Sequence, residues 1–229
     1  MAGGLIVALD MDGQDEACAL AGEVGERVAA LKVGSQLFSV GGPDIVRRIR
    51  RTGASVFLDL KFHDIPNTVR KAVEAVVPLG ISFFTVHASG GRDMISAARD
   101  AARDAKVLAV TVLTSLGKSD MSEIGVGLDV EEQVVGLAKL ARAAGADGIV
   151  CSPLEVALLR DTLDDECILV TPGVRPVGSA GDDQTRIATP AQAVRAGADY
   201  LVVGRPVVKA PDRVRAVEMI LDEMGVDRA

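Results

Sequence analysis

In the segment Ala144-Gly-Ala-Asp-Gly-Ile-Val-Cys151, Gly145 stands shortly before the apolar run 148–151, between a predicted helix and the next predicted strand. Glycine readily adopts the left-handed conformation that ends a helix, and an apolar run of this length suits a buried strand. The same signal recurs in three other segments, Arg51-Thr-Gly-Ala-Ser55, Pro78-Leu-Gly-Ile-Ser82 and Ala196-Gly-Ala-Asp199. A chain that repeats a helix end followed by a strand start is typical of the α/β class.

Eight short apolar runs rich in β-branched residues predict buried parallel strands at 5–9, 31–33, 56–60, 81–86, 107–112, 148–151, 168–170 and 200–203. Between the runs, apolar residues at helical spacing predict helices. The four sets are Leu20, Val24, Val28 and Leu31; Val69, Val73 and Val76; Val134, Leu137, Ala138 and Ala141; and Val214, Val217, Leu221 and Met224. Each strand-helix unit takes about 29 residues, so we expect a single α/β domain over 1–229, a (β/α)8 TIM barrel. The alternative is a doubly wound open sheet, but the first strand lacks a Gly-x-Gly-x-x-Gly motif.

The amino-acid composition limits the classes of partner and the cellular settings that we expect. Among 229 residues, 32 acidic and 25 basic side chains give a net charge of −7, and there is no tryptophan. This balance disfavours a nucleic-acid partner, although a local basic cluster can still bind a small anion. The three cysteines follow no disulfide or zinc spacing, which favours a reducing, cytoplasmic setting. Because no long apolar run or signal-peptide pattern occurs, we expect neither a membrane span nor secretion.

Polar residues gather where the predicted strands end. In chain order they are Asp10, Lys32, Asp59 with Lys61, His87, Thr114, Ser152, the turn 172–175, and Gly204 with Arg205. In a barrel these ends meet on one face, where active sites lie. Buried charges are costly unless they are paired, so such a cluster indicates function. An ion-pair network that only closes the barrel mouth is the structural alternative.

The densest of these segments is Asp59-Leu-Lys-Phe-His-Asp-Ile-Pro-Asn-Thr68. Asp59 and Lys61 are two residues apart, so on a strand they point to the same side, and Lys32 on the neighbouring strand can join them. Residues 64–68 also have the composition of a helix start. His63 and His87 could form a metal pair, but they lack a carboxylate-rich ligand pattern, which favours ordinary structural roles.

Two further features suggest a phosphate-bearing ligand. The connection 175–189, which contains Arg175 and Gln184, is long for a compact barrel and predicts a lid or binding loop; an exposed loop is the alternative. Gly204 and Arg205 follow the last strand, where barrels often bind phosphate through backbone N–H groups and an arginine. From the residues alone we expect a phosphorylated small molecule held beside a Lys/Asp cluster.

The segment 59–68 closely resembles the corresponding motif of the bacterial orotidine 5′-monophosphate decarboxylase family. Five further segments match in the same order along nearly the whole chain: Ala8-Leu-Asp10, Leu31-Lys-Val-Gly34, Pro172-Gly-Val-Arg-Pro176, Gly181-Asp-Asp-Gln184 and Val203-Gly-Arg-Pro206. The Asp-x-Lys-x-x-Asp core is shared with sugar-phosphate decarboxylases and synthases of the same superfamily. The extension through Pro66-Asn-Thr68 is the more specific part.

The resemblance implies loss of CO2 from orotidine 5′-monophosphate to give UMP, without a metal or an organic cofactor. It implies that Lys61 protonates C6, that Asp59 lies beside the departing carboxylate, and that Lys32 completes the charge row and contacts the ribose. It assigns substrate-binding positions to Asp10, Thr114, Arg175, Gln184, Gly204 and Arg205. It further implies a homodimer in which Asp64, Ile65 and Thr68 reach the partner's site.

Three other functions stay open at this point. The first is a metal-dependent sugar-phosphate decarboxylase or hexulose-phosphate synthase on the same barrel. The second is an aldolase that forms a Schiff base through Lys61, which would need a depressed lysine pKa beside Asp59. The third is a barrel that binds nucleotide without catalysis.

Overall fold

Eight parallel strands form a closed barrel in the computed structural model, which describes residues 4–175 and 188–225. Each strand pairs with the next in the chain, and the eighth pairs with the first. The strands are β1 (Gly4–Ala8), β2 (Ala30–Gly34), β3 (Val56–Phe62), β4 (Phe83–His87), β5 (Lys106–Val110), β6 (Gly148–Val150), β7 (Ile168–Thr171) and β8 (Tyr200–Val203). All eight predicted strands are present, and the (β/α)8 barrel is confirmed.

Helices connect the strands on the outside of the barrel. Within the described residues they are α1 (Gln14–Val24), α2 (Ser35–Arg50), α3 (Pro66–Val76), α4 (Arg92–Ala101), α5 (Lys118–Glu123), α6 (Val130–Ala143), α7 (Val156–Thr162), α8 (Pro190–Arg195), α9 (Arg205–Val208) and α10 (Arg213–Met224). The spacings that predicted helices over 69–76, 134–141 and 214–224 are confirmed by α3, α6 and α10. None of the described helices has the length and apolar character needed to cross a membrane.

The helical spacing that ran from Leu20 to Leu31 was wrong at its C-terminal end. Helix α1 ends at Val24 with Gly25 as its C-cap, Val28 lies in the following turn, and Leu31 is buried in β2. A spacing of three or four residues also fits a helix followed by a turn and a strand, because the core takes apolar side chains from both elements.

The repeated glycine does end helices. Gly145 and Gly197 have φ angles of +94° and +103°, and the glycines of the two other segments also have positive φ. A residue with a Cβ atom is disfavoured there. In each case the next strand begins three residues after the glycine, so these turns fix where the strands start.

The barrel interior is a small apolar cluster of its own. It contains Ile6, Ala8, Ala30, Phe57, Phe83, Leu108, Val170 and Val202. Because side chains alternate along a strand, the inward position that follows Ala30 is Lys32, the one after Phe57 is Asp59, and the one after Phe83 is Thr85. The apolar interior therefore gives way to a polar layer at the carboxyl ends of the strands.

Candidate active site

A cavity of about 680 Å³ opens at the carboxyl ends of the strands. Eight of the residues predicted from the sequence line it: Asp10, Lys32, Asp59, Lys61, Thr114, Arg175, Gly204 and Arg205. They come from the ends of six different strands, which only the closed barrel brings together. The cavity is thus large enough for a small phosphorylated molecule, and both acidic and basic side chains line it.

Four charged side chains form an alternating row along one wall. Lys32 Nζ lies 3.1 Å from Asp10 Oδ1 and 3.4 Å from Asp59 Oδ2. Lys61 Nζ lies 2.9 Å from Asp59 Oδ1. The order Asp10, Lys32, Asp59, Lys61 thus brings each ammonium group beside a carboxylate, and the two carboxylates are separated by Lys32.

Burial and charge act against each other on the two central members of the row. Burial favours neutral Lys32, but the charges of Asp59 and Asp10 and their hydrogen bonds outweigh it and hold the Lys32 pKa above its usual value. Burial likewise favours neutral Asp59, yet Lys32, Lys61 and the hydroxyl of Thr85 keep its pKa below the usual value. Both groups are therefore charged at neutral pH.

Lys61 reaches Asp59 from an irregular strand end. The pairing of β3 with β4 shifts between Leu58 and Phe62, where four residues of β3 span two of β4. Lys61 itself has φ +50°, which is uncommon for a residue with a Cβ atom. The predicted proximity of Lys61 and Asp59 is confirmed, but a local bulge contributes to it as well as the alternation of a regular strand.

Gly34, at the end of β2, lies against the charge row. A Cβ atom on this residue would sit 3.0 Å from both Asp10 Oδ1 and Lys32 Nζ. That is tighter than an ordinary van der Waals contact, so a side chain here would push the ion pair apart. The close approach accounts for a glycine at this position.

Thr85 belongs to the same network and was missed by sequence reasoning. It is fully buried on β4, and its Oγ1 donates a hydrogen bond to Asp59 Oδ1 at 2.9 Å. The sequence offers one signal, since Thr85 is the only hydroxyl residue among the inward positions 83, 85 and 87 of β4. Ser35, Gln36 and Ser115 also line the cavity without having been predicted.

Two predicted strand-end residues lie outside this cavity's lining. Ser152 is buried and caps a turn, with its backbone N–H donating to Glu155 Oε2 at 2.9 Å and its Oγ accepting from Leu154 N at 3.3 Å. His87 packs against His63, with ring centroids 5.5 Å apart. Burial, with His63 and Lys61 nearby, lowers the pKa of His87. Across residues 4–175 and 188–225, no group of three or more His, Cys, Asp or Glu residues is arranged to hold a metal ion.

The segment 64–68 lies outside the cavity of its own chain. Asp64, Ile65 and Thr68 are exposed, and the side chain of Ile65 is among the most exposed large apolar groups at 67%. The predicted helix start is confirmed, because Pro66 is the first residue of α3. Asp64 precedes the cap residue Ile65 and accepts its backbone N–H at 2.6 Å.

The described ends of the connection 175–189 are held together. Val174 and Ala188 form a parallel bridge, and the backbone N–H of Arg175 donates to the Ala188 carbonyl at 2.9 Å. This arrangement closes the base of the connection beside the cavity that Arg175 lines. Gln184, predicted as a substrate-binding residue, lies outside the described residues.

Comparison with known proteins gives concordant results. The sequence model of the family described as "Orotidine 5′-phosphate decarboxylase / HUMPS family" matches residues 3–220. The chain is 50% identical over 225 residues to the orotidine 5′-phosphate decarboxylase of Saccharophagus degradans, covering 96% of this chain and 94% of that one. It is 48% identical over 226 residues to the enzyme of the same name from Pelobacter propionicus, with coverage of 96% and 94%.

Solved structures of proteins with the same name are also similar to this chain. The crystal structure of orotidine 5′-phosphate decarboxylase from Lactobacillus acidophilus superposes with a TM-score of 0.86 at 40% identity, covering 97% of this chain and 99% of that one. The protein of the same name from Pyrococcus horikoshii superposes with a TM-score of 0.81 at 26% identity, with coverage of 97% and 100%. Similarity thus extends over essentially the full barrel in both sequence and structure.

Proposed function

This chain belongs to the orotidine 5′-phosphate decarboxylase / HUMPS family, and from that premise we propose that it converts orotidine 5′-monophosphate to UMP and CO2, the last step of UMP synthesis. We assign the whole chain, 1–229, to one barrel domain and a cytoplasmic location. The observation that carries the proposal is the row Asp10, Lys32, Asp59, Lys61 on the wall of the cavity.

Lys61 is the proposed proton donor. When the bond between C6 and the carboxylate breaks, CO2 leaves and the electron pair stays at C6, where the pyrimidine carbonyls cannot delocalise it well. An ammonium group beside C6 attracts this developing charge more strongly than it attracts the ground state, which lowers the barrier. A proton from Lys61 Nζ then forms the new C6–H bond, and solvent reprotonates the amine.

Asp59 contributes mainly by placing Lys61. Repulsion between Asp59 and the substrate carboxylate at about 4 Å would supply only roughly 4 kcal/mol at an effective dielectric near 20. Enzymes lower their barriers by about 8–23 kcal/mol, so this repulsion is a minor part. The larger contribution comes from charge stabilisation by Lys61 and from binding energy of the phosphate that is used to close the site.

The remaining lining residues have binding roles in this proposal. Asp10 and Lys32 contact the ribose, and Thr114 contacts the pyrimidine. Arg205 binds the phosphate together with Gly204, helped by Arg175, which also lines the cavity. Gln184 is assigned a substrate contact from the family motif alone. Positive charge at this end of an otherwise acidic chain suits an anionic substrate.

The proposed enzyme is a homodimer with shared sites. Asp64, Ile65 and Thr68 are exposed and are not among the residues that line the described cavity, while the family motif includes them. An exposed isoleucine beside an aspartate fits a contact that is completed by a second copy. In this arrangement the partner's Asp64 adds the last negative charge next to Lys61.

Metal-free catalysis is part of the proposal. Both oxygens of Asp59 already have partners, because Oδ1 contacts Lys61 and Thr85 and Oδ2 contacts Lys32. A divalent ion would have to displace these ammonium groups, which disfavours the metal-dependent sugar-phosphate reactions of the same family. A Schiff-base aldolase would need the Lys61 amine as a free nucleophile, but Lys61 Nζ lies 2.9 Å from Asp59 Oδ1 and would have to give up that ion pair.

One assay tests the proposed function. Consumption of orotidine 5′-monophosphate is followed by ultraviolet absorbance with and without EDTA. We expect conversion to UMP at the same rate in both conditions. Failure to consume the substrate would contradict the proposed activity, and loss of activity in EDTA that returns with a divalent metal would favour the metal-dependent alternative.

A further inference from the structure

Thr85 connects two members of the charge row through a single hydroxyl. Its Oγ1 accepts the backbone N–H of Lys61 at 2.8 Å and donates to Asp59 Oδ1 at 2.9 Å. Thr85 is fully buried, and its strand neighbours are apolar on both sides. A hydroxyl can donate once and accept from other groups, so both hydrogen bonds can exist together.

The backbone of Lys61 needs such a partner. Lys61 lies where β3 shifts its register against β4, and its φ of +50° is disfavoured for a residue with a Cβ atom. Strained conformations persist at functional sites only when the surroundings fix them. Thr85, on the adjacent strand β4, accepts the Lys61 N–H at this point.

The same hydroxyl also fixes the other end of the Lys61 side chain. Lys61 Nζ contacts Asp59 Oδ1, which is the oxygen that receives the Thr85 hydrogen bond. The long lysine side chain is therefore anchored at its backbone by Thr85 and at its ammonium group by Asp59, which Thr85 holds. Removing the hydroxyl would loosen both anchors at once.

We propose that Thr85 is a positioning residue, whose hydroxyl holds the Lys61 ammonium group and the Asp59 carboxylate in their reactive places. This inference rests on the proposed function, in which Lys61 protonates C6. It predicts that Thr85 affects the chemical step more than substrate binding, because Thr85 is not among the residues that line the cavity. A displacement of about 1 Å in a reacting group can reduce a rate about 100-fold.

Three variants distinguish a positioning role of the Thr85 hydroxyl from a general effect on the stability of the barrel. Thr85→Val keeps the shape and removes the hydroxyl, and Thr85→Ser keeps the hydroxyl. Thr171→Val is the matched control, since Thr171 is an equally buried threonine at the end of β7 whose Oγ1 donates to the Cys151 carbonyl outside the charge row. We expect Thr85→Val to lower kcat about 10- to 100-fold with KM changed less than about twofold, and Thr85→Ser and Thr171→Val to stay near wild type.

The pH profile gives a second kinetic readout. The Thr85 hydroxyl favours the charged form of Asp59, which also faces Lys32 and Lys61 directly and lies near Asp10 and His87. Removing the hydroxyl takes away one of the interactions that hold the Asp59 pKa down. The acidic limb of the kcat profile should therefore move to higher pH in Thr85→Val and not in Thr171→Val.

Hydrogen exchange of the Lys61 amide tests the geometry without relying on activity. The amide should exchange slowly in the wild type and in Thr85→Ser, and faster in Thr85→Val. If the wild type does not decarboxylate the substrate, the proposed function fails while the exchange data still decide the positioning. Unchanged kcat and Lys61 exchange in Thr85→Val, or an equal loss of kcat in Thr171→Val, would overturn the inference. Should Thr85→Val not fold, Thr85→Cys, with its weaker hydrogen bonds, should give an intermediate kcat.

Discussion

Lys32 Nζ lies 3.4 Å from Asp59 Oδ2, and the two side chains are only 10% and 12% exposed. They stand on the neighbouring strands β2 and β3, so the ion pair joins two strands at the mouth of the barrel. Each group is buried enough that its charge depends on the other. The pair therefore ties the ionisation of the site to the stability of the fold.

This coupling predicts how stability depends on pH. The pKa of Asp59 is lowered on folding, so its contribution is present above the unfolded value of about 3.9 and is lost as pH falls through the folded value. The pKa of Lys32 is raised, so its contribution is complete below about 10.4 and is lost as pH rises through the folded value.

The variant Asp59→Asn should remove the acidic dependence that comes from Asp59 and reduce the alkaline dependence that comes from Lys32. We expect it to lower the free energy of unfolding by about 3 kcal/mol at neutral pH, and by less at the two extremes. Urea unfolding between acidic and alkaline pH measures this, with Asp161→Asn on an exposed position of α7 as the control. A constant difference between Asp59→Asn and wild type across the whole pH range would contradict the coupling.

Replacing the proposed proton donor should abolish turnover without unfolding the barrel. Lys61→Ala removes both the proton source and the positive charge beside C6, so we expect kcat to fall by about 10⁴-fold or more. The matched control is Lys71→Ala, because Lys71 is exposed on α3 and pairs with Glu74 at 2.8 Å. Thermal unfolding should remain cooperative in both variants. Ordinary turnover in Lys61→Ala would remove Lys61 from its assigned role.

Arg205 should act on substrate binding, and the effect of replacing it should depend on whether the ligand carries a phosphate. A charge-assisted hydrogen bond to phosphate contributes about 1.5–3 kcal/mol, so Arg205→Ala should reduce kcat/KM about 10- to 100-fold. The affinity for UMP should fall similarly, whereas the affinity for uridine, which lacks phosphate, should not change. Lys209→Ala, at the exposed end of α9, is the control. Equal losses for UMP and uridine would place the phosphate elsewhere.

The barrel could be predicted because its signals are local. Each short apolar run and each helix-ending glycine specifies one strand or one turn without knowledge of the rest of the chain. The end of α1 could not be placed, since Val28 and Leu31 keep an apolar spacing across a turn and into a strand. Periodicity reports which residues are buried and does not separate the elements that bury them.

The candidate site was predictable only in part. Charged residues at strand ends are informative because burying them is costly in a barrel that only needs to be stable. This reasoning identified Asp10, Lys32, Asp59 and Lys61. The bulge at Lys61 leaves no trace in the sequence, because lysine has no preference for positive φ. Thr85 was hidden for a similar reason, since threonine is a common residue in strands and its hydroxyl partners are distant in sequence.

The proposed shared site can be tested by mixing two inactive proteins. If Asp64 acts in the partner's site, a dimer of one Lys61→Ala chain and one Asp64→Asn chain contains one fully wild-type site. That site combines Lys61 of the second chain with Asp64 of the first. Random pairing of equal amounts should therefore restore about a quarter of the wild-type sites.

Co-expression of the two chains with different affinity tags allows the mixed dimer to be isolated and its decarboxylation measured. A mixture of Lys61→Ala and Asp59→Asn is the negative control, because both changes lie in the cavity of their own chain and no mixed dimer has an intact site. If Asp64 instead acted within its own chain, the first mixture would be as inactive as this control. Full activity of Asp64→Asn on its own would show that the exposed carboxylate takes no part in the reaction.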